Sequence, residues 1–91
     1  MPKVTSKTFC DSGIKFFSIV EVCDKYESGE RGIKHTDSEV LNMILAVPGV
    51  QVVHANGYEI TLYRSLAYEW DEIVPQVTAI LTELAGATLG R

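Results

Sequence analysis

Between Val50 and Leu62 the chain reads V-Q-V-V-H-A-N-G-Y-E-I-T-L, two runs rich in β-branched and aromatic residues on either side of Asn56-Gly57. Both turn residues tolerate the positive φ of a two-residue type I′ loop, so the stretch is expected to fold back on itself as a β-hairpin. With Asn56 and Gly57 as the loop, Ala55 faces Tyr58, Val53 faces Ile60 and Gln51 faces Leu62. Side chains alternate across a strand, which puts those six on one face, the expected core face. Val50, Val52, His54, Glu59, Thr61 and Tyr63 then share the other. Two strands are marginal alone in water, so the flanking segments have to supply the cover.

Those flanks are short. Ninety-one residues make one domain, 1–91, in which nearly every long apolar run must contribute to the core. A hydrophobic fraction of 46% and a charged fraction of 22% are ordinary for a globular chain and argue against global disorder. The net charge of -4, with basic residues scattered singly, argues against nucleic acid or an anionic membrane as partner. No apolar run approaches membrane-spanning length and the first residues lack a signal peptide's apolar segment, so a soluble, cytoplasmic protein is expected. Two cysteines, Cys10 and Cys23, do not make a disulfide framework, and free thiols are expected.

Taken from the start, Met1 to Phe9 is polar and mixed; residues 1–12 read equally as a loose arm or an edge strand. Asp11-Ser12-Gly13 signals a turn, and Ile14 to Val22 (I-K-F-F-S-I-V-E-V) reads as one strand, with apolar residues on both faces as in an interior strand. Cys23 to Gly32 is a charged connection that can hold a short edge strand between about Tyr26 and Lys34. Thr36-Asp37-Ser38-Glu39 opens a helix: Thr36 with Glu39 fits a capping box, and Ser38 is a rival cap. Val40, Leu41, Ile44 and Leu45 recur at helical spacing, and Pro48-Gly49 ends the run.

From Glu69 to Ala85 a longer stripe, Trp70, Ile73, Val74, Val77, Ile80, Leu81 and Leu84, predicts the second helix. Pro75 is expected to kink it or to set Trp70 to Val74 apart as a separate first turn, and Gly86 and Gly90 to close the chain. The order β-β-α-β-β-α predicts an α+β two-layer sandwich, a mostly antiparallel sheet with both helices on one face.

Chemistry-bearing residues are sparse. Cys10, Cys23, His35 and His54 are good metal-ligand types, but no Cys-x-x-Cys or His-x-x-x-His occurs, and ordinary packed or surface roles account for them better. His54 is expected to face Glu59 as a cross-strand pair. Lys25 near Cys23 can lower a thiol pKa, yet no base or orienting group is placed beside it. Glu69, Asp71 and Glu72 suit a helix N-terminus, and Gly29 and Gly32 fit no phosphate-binding loop. Tyr58, Tyr63, Tyr68 and Trp70 are a candidate patch, with Trp70 better read as core. The surface to watch is the hairpin's second face: Val50, Val52, His54 and Tyr63 are the candidate partner-binding residues.

Ser38 as cap, the Val40 to Val47 helix, Pro48-Gly49-Val50, a hairpin ending Ile60-Thr61-Leu62, and Trp70-Asp71-Glu72-Ile73-Val74-Pro75 together resemble the N-terminal domain of Nfu/NifU-type iron-sulfur cluster scaffold proteins. The likeness runs from Ser38 to Leu84, with Ile14-Lys15-Phe16 similar to the family's first strand, and Pro75 stands where the family has its proline. Glu39 replaces a proline, Glu59 replaces a usual aromatic, and Cys10-Asp11-Ser12-Gly13 stands where the family tends to have Asn-Pro-Asn-Thr. A hairpin turn one residue later than Asn56-Gly57 would shift every pairing sum by two and leave each side chain's face unchanged.

The resemblance implies a non-enzymatic accessory or partner-recognition module in iron-sulfur cluster assembly or delivery, its partner a protein of that machinery. In the family the cluster is held by a Cys-x-x-Cys of a separate C-terminal domain, so no cofactor, cluster ligand or catalytic residue carries over to this chain. The alternative is a small ligand-binding or regulatory α+β module that dimerises through an open sheet face. A small enzyme using Cys23 or His54 is the weakest reading.

Overall fold

The computed structural model describes residues 3–89. Five strands, β1 (Thr5–Cys10), β2 (Gly13–Phe17), β3 (Cys23–Glu30), β4 (Val50–Gly57) and β5 (Glu59–Arg64), form one antiparallel sheet in the spatial order β1-β2-β5-β4-β3. Helix α1 (Glu39–Leu45) lies between β3 and β4 in the chain, and α2 (Trp70–Leu89) follows β5. Ile14, Phe16, Val53, Ala55, Ile60 and Leu62 of the sheet are buried in one cluster with Leu41, Ile44 and Leu45 of α1 and Ile73, Val77 and Leu81 of α2. Both helices therefore cover the same face, and the fold is the expected α+β two-layer sandwich. The N-terminal segment resolves as an edge strand rather than a loose arm, with Met1 and Pro2 outside the described residues.

The β4–β5 hairpin holds the centre, with β2 laddered to β5 and β3 laddered to β4. Its turn sits one residue later than Asn56-Gly57 suggests. Ala55 pairs with Ile60, Val53 with Leu62, His54 with Thr61 and Asn56 with Glu59, leaving Gly57 and Tyr58 as the loop. Gly57 has φ +64 and among the described residues no non-glycine residue has positive φ, so positive φ falls on the first loop residue alone, as in type II′ rather than I′. Holding Asn56 in the strand removes the need for a strained asparagine.

A second departure is a bulge. The register steps from Val52↔Tyr63 to Val50↔Arg64, so Gln51 is an extra residue in β4 and the parity of facing changes there. Val50, expected on the open face, is wholly buried in the core, and Gln51, expected in the core, is exposed. Arg31 lies against this irregular backbone. Its backbone N–H donates to the Gln51 carbonyl at 2.8 Å, its Nε to the Val50 carbonyl at 2.7 Å, and its Nη2 to the Leu45 and Val47 carbonyls at 2.9 and 2.6 Å. One side chain thus supplies a donor to the Leu45 carbonyl, at the end of α1 where the helix has none, and to the Val47 and Val50 carbonyls beyond it.

The stretch Ile14 to Val22 is not one strand. β2 stops at Phe17, opposite Glu59, because the hairpin it pairs with ends there. Residues 18–22 instead cross the hairpin tip, where Ser18 N–H donates to Tyr58 O at 2.8 Å and Val22 N–H to Gly57 O at 2.9 Å. The edge strand expected near Tyr26 to Lys34 starts earlier, at Cys23. A single Glu30↔Lys34 bridge closes its far end.

Ser38, not Thr36, caps α1, its side chain accepting from Leu41 N–H at 3.3 Å. Thr36 is buried beneath it and bonds to Ser38 and Asn42. Gly49, at φ +100, ends the connection after α1; a Cβ there would lie 2.8 Å from Tyr68 and 2.9 Å from Ile73. α2 runs through Pro75 and Gly86 as one helix with no separate first turn. Pro75 leaves the Asp71 carbonyl without its helical donor, and Asp71 is exposed, so solvent reaches it. Gly90 lies outside the described residues.

The bulge makes opposite predictions for two neighbouring valines. Val50→Gln should lower the unfolding free energy by about 2–4 kcal/mol through loss of apolar contacts and burial of an unpaired amide. Val52→Gln should cost less than about 1 kcal/mol at its half-buried position. Urea denaturation followed by circular dichroism checks both; equal costs would place the parity change elsewhere.

Candidate functional site

The helices leave the other sheet face open, and alternation assigns to it Lys7 from β1, Lys15 and Phe17 from β2, Thr61 and Tyr63 from β5, and Val52 and His54 from β4; Phe9 and Tyr26, at register shifts in β1 and β3, are placed there by their ring contacts with Tyr63 and His54. Aromatic rings form a row across it. Phe9 meets Tyr63 edge to face at a centroid distance of 6.0 Å and 86°, and Tyr63 meets His54 at 6.0 Å and 86°. His54 then stacks on Tyr26 at 6.0 Å and 22°. Tyr26 Oη and His54 Nδ1 are 2.6 Å apart, a hydrogen bond that locks the end of the row. Centroid spacings within 4.5–7 Å are those at which aromatic quadrupoles attract.

The row crosses β2 at a glycine. Gly13 pairs with Cys10 on one side and Tyr63 on the other, and a Cβ there would stand 2.5 Å from Phe9 Cζ. The missing side chain is the gap through which the Phe9 ring reaches Tyr63. Both ends of the row remain open to solvent, Phe9 being 52% and Tyr26 60% exposed.

Beside the row lies an open depression of about 440 Å³ lined by Lys7, Phe9, Lys15, Phe17, Thr61 and Tyr63. Lys15 Nζ stands 3.1 Å from Glu59 Oε1, and among the described residues Lys7 has no ionic partner. The two lysines are directly opposite each other across the β1–β2 ladder.

Of the four residues expected on a partner surface, Val52, His54 and Tyr63 lie on this face, while Val50 is in the core for the reason given above. His54 faces Thr61 rather than Glu59, because the later turn moves every pairing, and its ring partners are Tyr26 and Tyr63. Glu59 goes to Lys15 instead. Lys7, Phe9, Lys15, Phe17 and Tyr26 were missed. The signal for them was weak, since β1 and β3 each carry a single aromatic in an otherwise polar run.

The other candidates separate. Cys10 is exposed beside Ser12, Cys23 is buried at the start of β3, and His35 is exposed before α1. Among the described residues no group of three or more His, Cys, Asp or Glu side chains is arranged to hold a metal ion. Glu72 Oε2 accepts the Glu69 N–H at 2.9 Å, a helix-capping role. Tyr58 is at the hairpin loop, and Tyr68 packs over Gly49. Trp70, half-buried, donates through Nε1 to Asp11 O at 3.1 Å and lies 5.7 Å beneath the Arg64 guanidinium, so the aromatics Tyr58, Tyr63, Tyr68 and Trp70 do not form one patch. No helix among the described residues is long and apolar enough to cross a membrane.

An antiparallel five-stranded sheet backed by two helices defines the class of fold, and solved structures share it. A NifU-like protein from Saccharomyces cerevisiae, known from solution NMR, superposes with a TM-score of 0.69 at 19% identity, over 88% of this chain and 75% of that one. An X-ray structure of a protein from Staphylococcus aureus superposes with a TM-score of 0.68 at 20% identity, over 87% of this chain and 98% of that one. No protein-family model and no curated protein matches the sequence. What this chain has in common with the NifU-like protein is the fold.

Filling the gap at β2 should break the aromatic row without unfolding the sheet. Gly13→Ala is expected to move the Phe9 ring off Tyr63, removing their mutual ring-current shifts in proton NMR, while stability changes by less than about 1 kcal/mol. An unchanged Phe9–Tyr63 pattern would contradict the role assigned to Gly13.

Proposed function

We propose that this chain is a non-enzymatic partner-recognition module in iron-sulfur cluster assembly or delivery, and that it meets its protein partner with the open sheet face. The observation that carries the process is the fold shared with a NifU-like protein over 88% of the chain. It is joined by the sequence pattern from Ser38 to Pro75, which resembles the N-terminal domain of cluster scaffolds. The observation that carries the surface is the aromatic row on the face opposite the helices, half-buried at its centre and exposed at both ends. Exposed aromatics held at fixed spacing by a sheet bring large contact area at low cost in side-chain entropy, as docking surfaces require. A competing reading, a regulatory module that dimerises through the same face, draws on the same exposed rings.

The test uses an isotope-labelled sample under anaerobic conditions, with a cluster-loaded, Cys-x-x-Cys-bearing Nfu-type domain as the titrant. Expected are shifts or broadening at Phe9, Tyr26, Val52, His54 and Tyr63 amides. After reconstitution with iron and sulfide and then desalting, the chain by itself should retain no stoichiometric iron. Silent spectra, or iron held by the chain and lost on Cys10→Ser, would overturn this function. A concentration-dependent dimer by light scattering that persists with the titrant present and keeps these amides buried would favour the regulatory module.

A further inference from the structure

The basic end of the open face has a chemistry of its own. Lys7 and Lys15 are directly paired across the β1–β2 ladder, a like-charge juxtaposition that destabilises a sheet when nothing neutralises it. Each lines the same depression of about 440 Å³ with Phe9, Phe17, Thr61 and Tyr63, and among the described residues no carboxylate lines it. Glu59 stands 3.1 Å from Lys15, and Lys7 has no ionic partner among the described residues. Phe9 and Phe17 are 52% and 40% exposed beside the two ammonium groups. In a chain of net charge -4, two facing lysines flanked by exposed phenylalanines form a local site of opposite sign to the molecule.

We propose that this depression receives a protein segment in which an Asp or Glu side chain stands next to an apolar or aromatic one. The carboxylate sits between Lys7 and Lys15 and relieves their repulsion. The apolar neighbour covers Phe9, Phe17 and the edge of Tyr63, where rings already held in place lose little freedom on contact. A nucleic acid fits less well: a phosphate backbone needs a continued run of cations, and the face beyond Lys15 carries Glu59, Tyr26 and His54 instead. The proposal rests on the docking role given to the sheet face and adds the chemistry of what docks there.

The experiment selects displayed random peptides against the immobilised chain, with prior depletion on a Lys7→Gln/Lys15→Gln double variant whose fold is checked by circular dichroism. The expected consensus places Asp or Glu within two positions of Phe, Trp, Leu or Ile. A synthetic peptide with that consensus should bind at least tenfold more weakly to the double variant by fluorescence anisotropy. Its affinity should fall as salt is raised from 50 to 300 mM, and it should shift the amides of Lys7, Phe9, Lys15, Phe17 and Tyr63. A consensus without an acid, equal binding by the double variant, or shifts confined to the helices would sink the proposal. So would displacement of the peptide by millimolar inorganic phosphate, or a dimer of the chain that the double variant abolishes. An acidic consensus found while the cluster-loaded domain fails to bind would retain this site and remove the iron-sulfur reading; the reverse pair of results would do the opposite.

Discussion

Three of the four ladders in the sheet are made by the β4–β5 hairpin, and its limited length decides where the neighbouring strands can exist. β2 ends at Phe17 because its partner ends at Glu59, and pairing of β3 begins at Cys23 opposite Gly57. The five residues between them have no strand to join, so they bond to the hairpin tip through Ser18 and Val22. Buried backbone groups must find partners, and here the partner's extent, more than local propensity, sets the element boundaries.

That constraint separates what was readable in the sequence from what was not. Val53, Ala55, Ile60 and Leu62 alternate over a few residues, and Ile73, Val77 and Leu81 recur at helical spacing, so each pattern declares its buried face locally. Ser38 and Gly49 mark the limits of the α1 segment by chemistry that also acts within a few residues. Val50 and Gln51 were misplaced because their facing depends on a bulge, and the donors that bind there come from Arg31 on a distant part of the chain. The run Ile14 to Val22 has strand propensity throughout, and nothing within it records that its partner stops short.

The open face was legible only in part for the same reason. Val52, His54 and Tyr63 follow from alternation within the hairpin, but the row they belong to is completed by Phe9 and Tyr26, one aromatic on each of two polar edge strands. The sequence resemblance to cluster-scaffold domains is read on residues from Ser38 to Leu84, and so bears on β4 and β5 but not on those edges. Gly13 is a further case. Its conformation demands no glycine; its significance lies in the Phe9 ring occupying the space a side chain would take, which only the assembled sheet reveals.

The interleaved strand order also bears on how the chain acquires its structure. β2 finds its inner neighbour in β5, and β3 is laddered to β4 at the sheet's edge, so neither ladder can form without the hairpin. Without β4 and β5 the β1–β2 pair is an isolated two-stranded unit, marginal in water, with Ile14 and Phe16 uncovered. The sheet joins segments distant in sequence, a topology that slows folding.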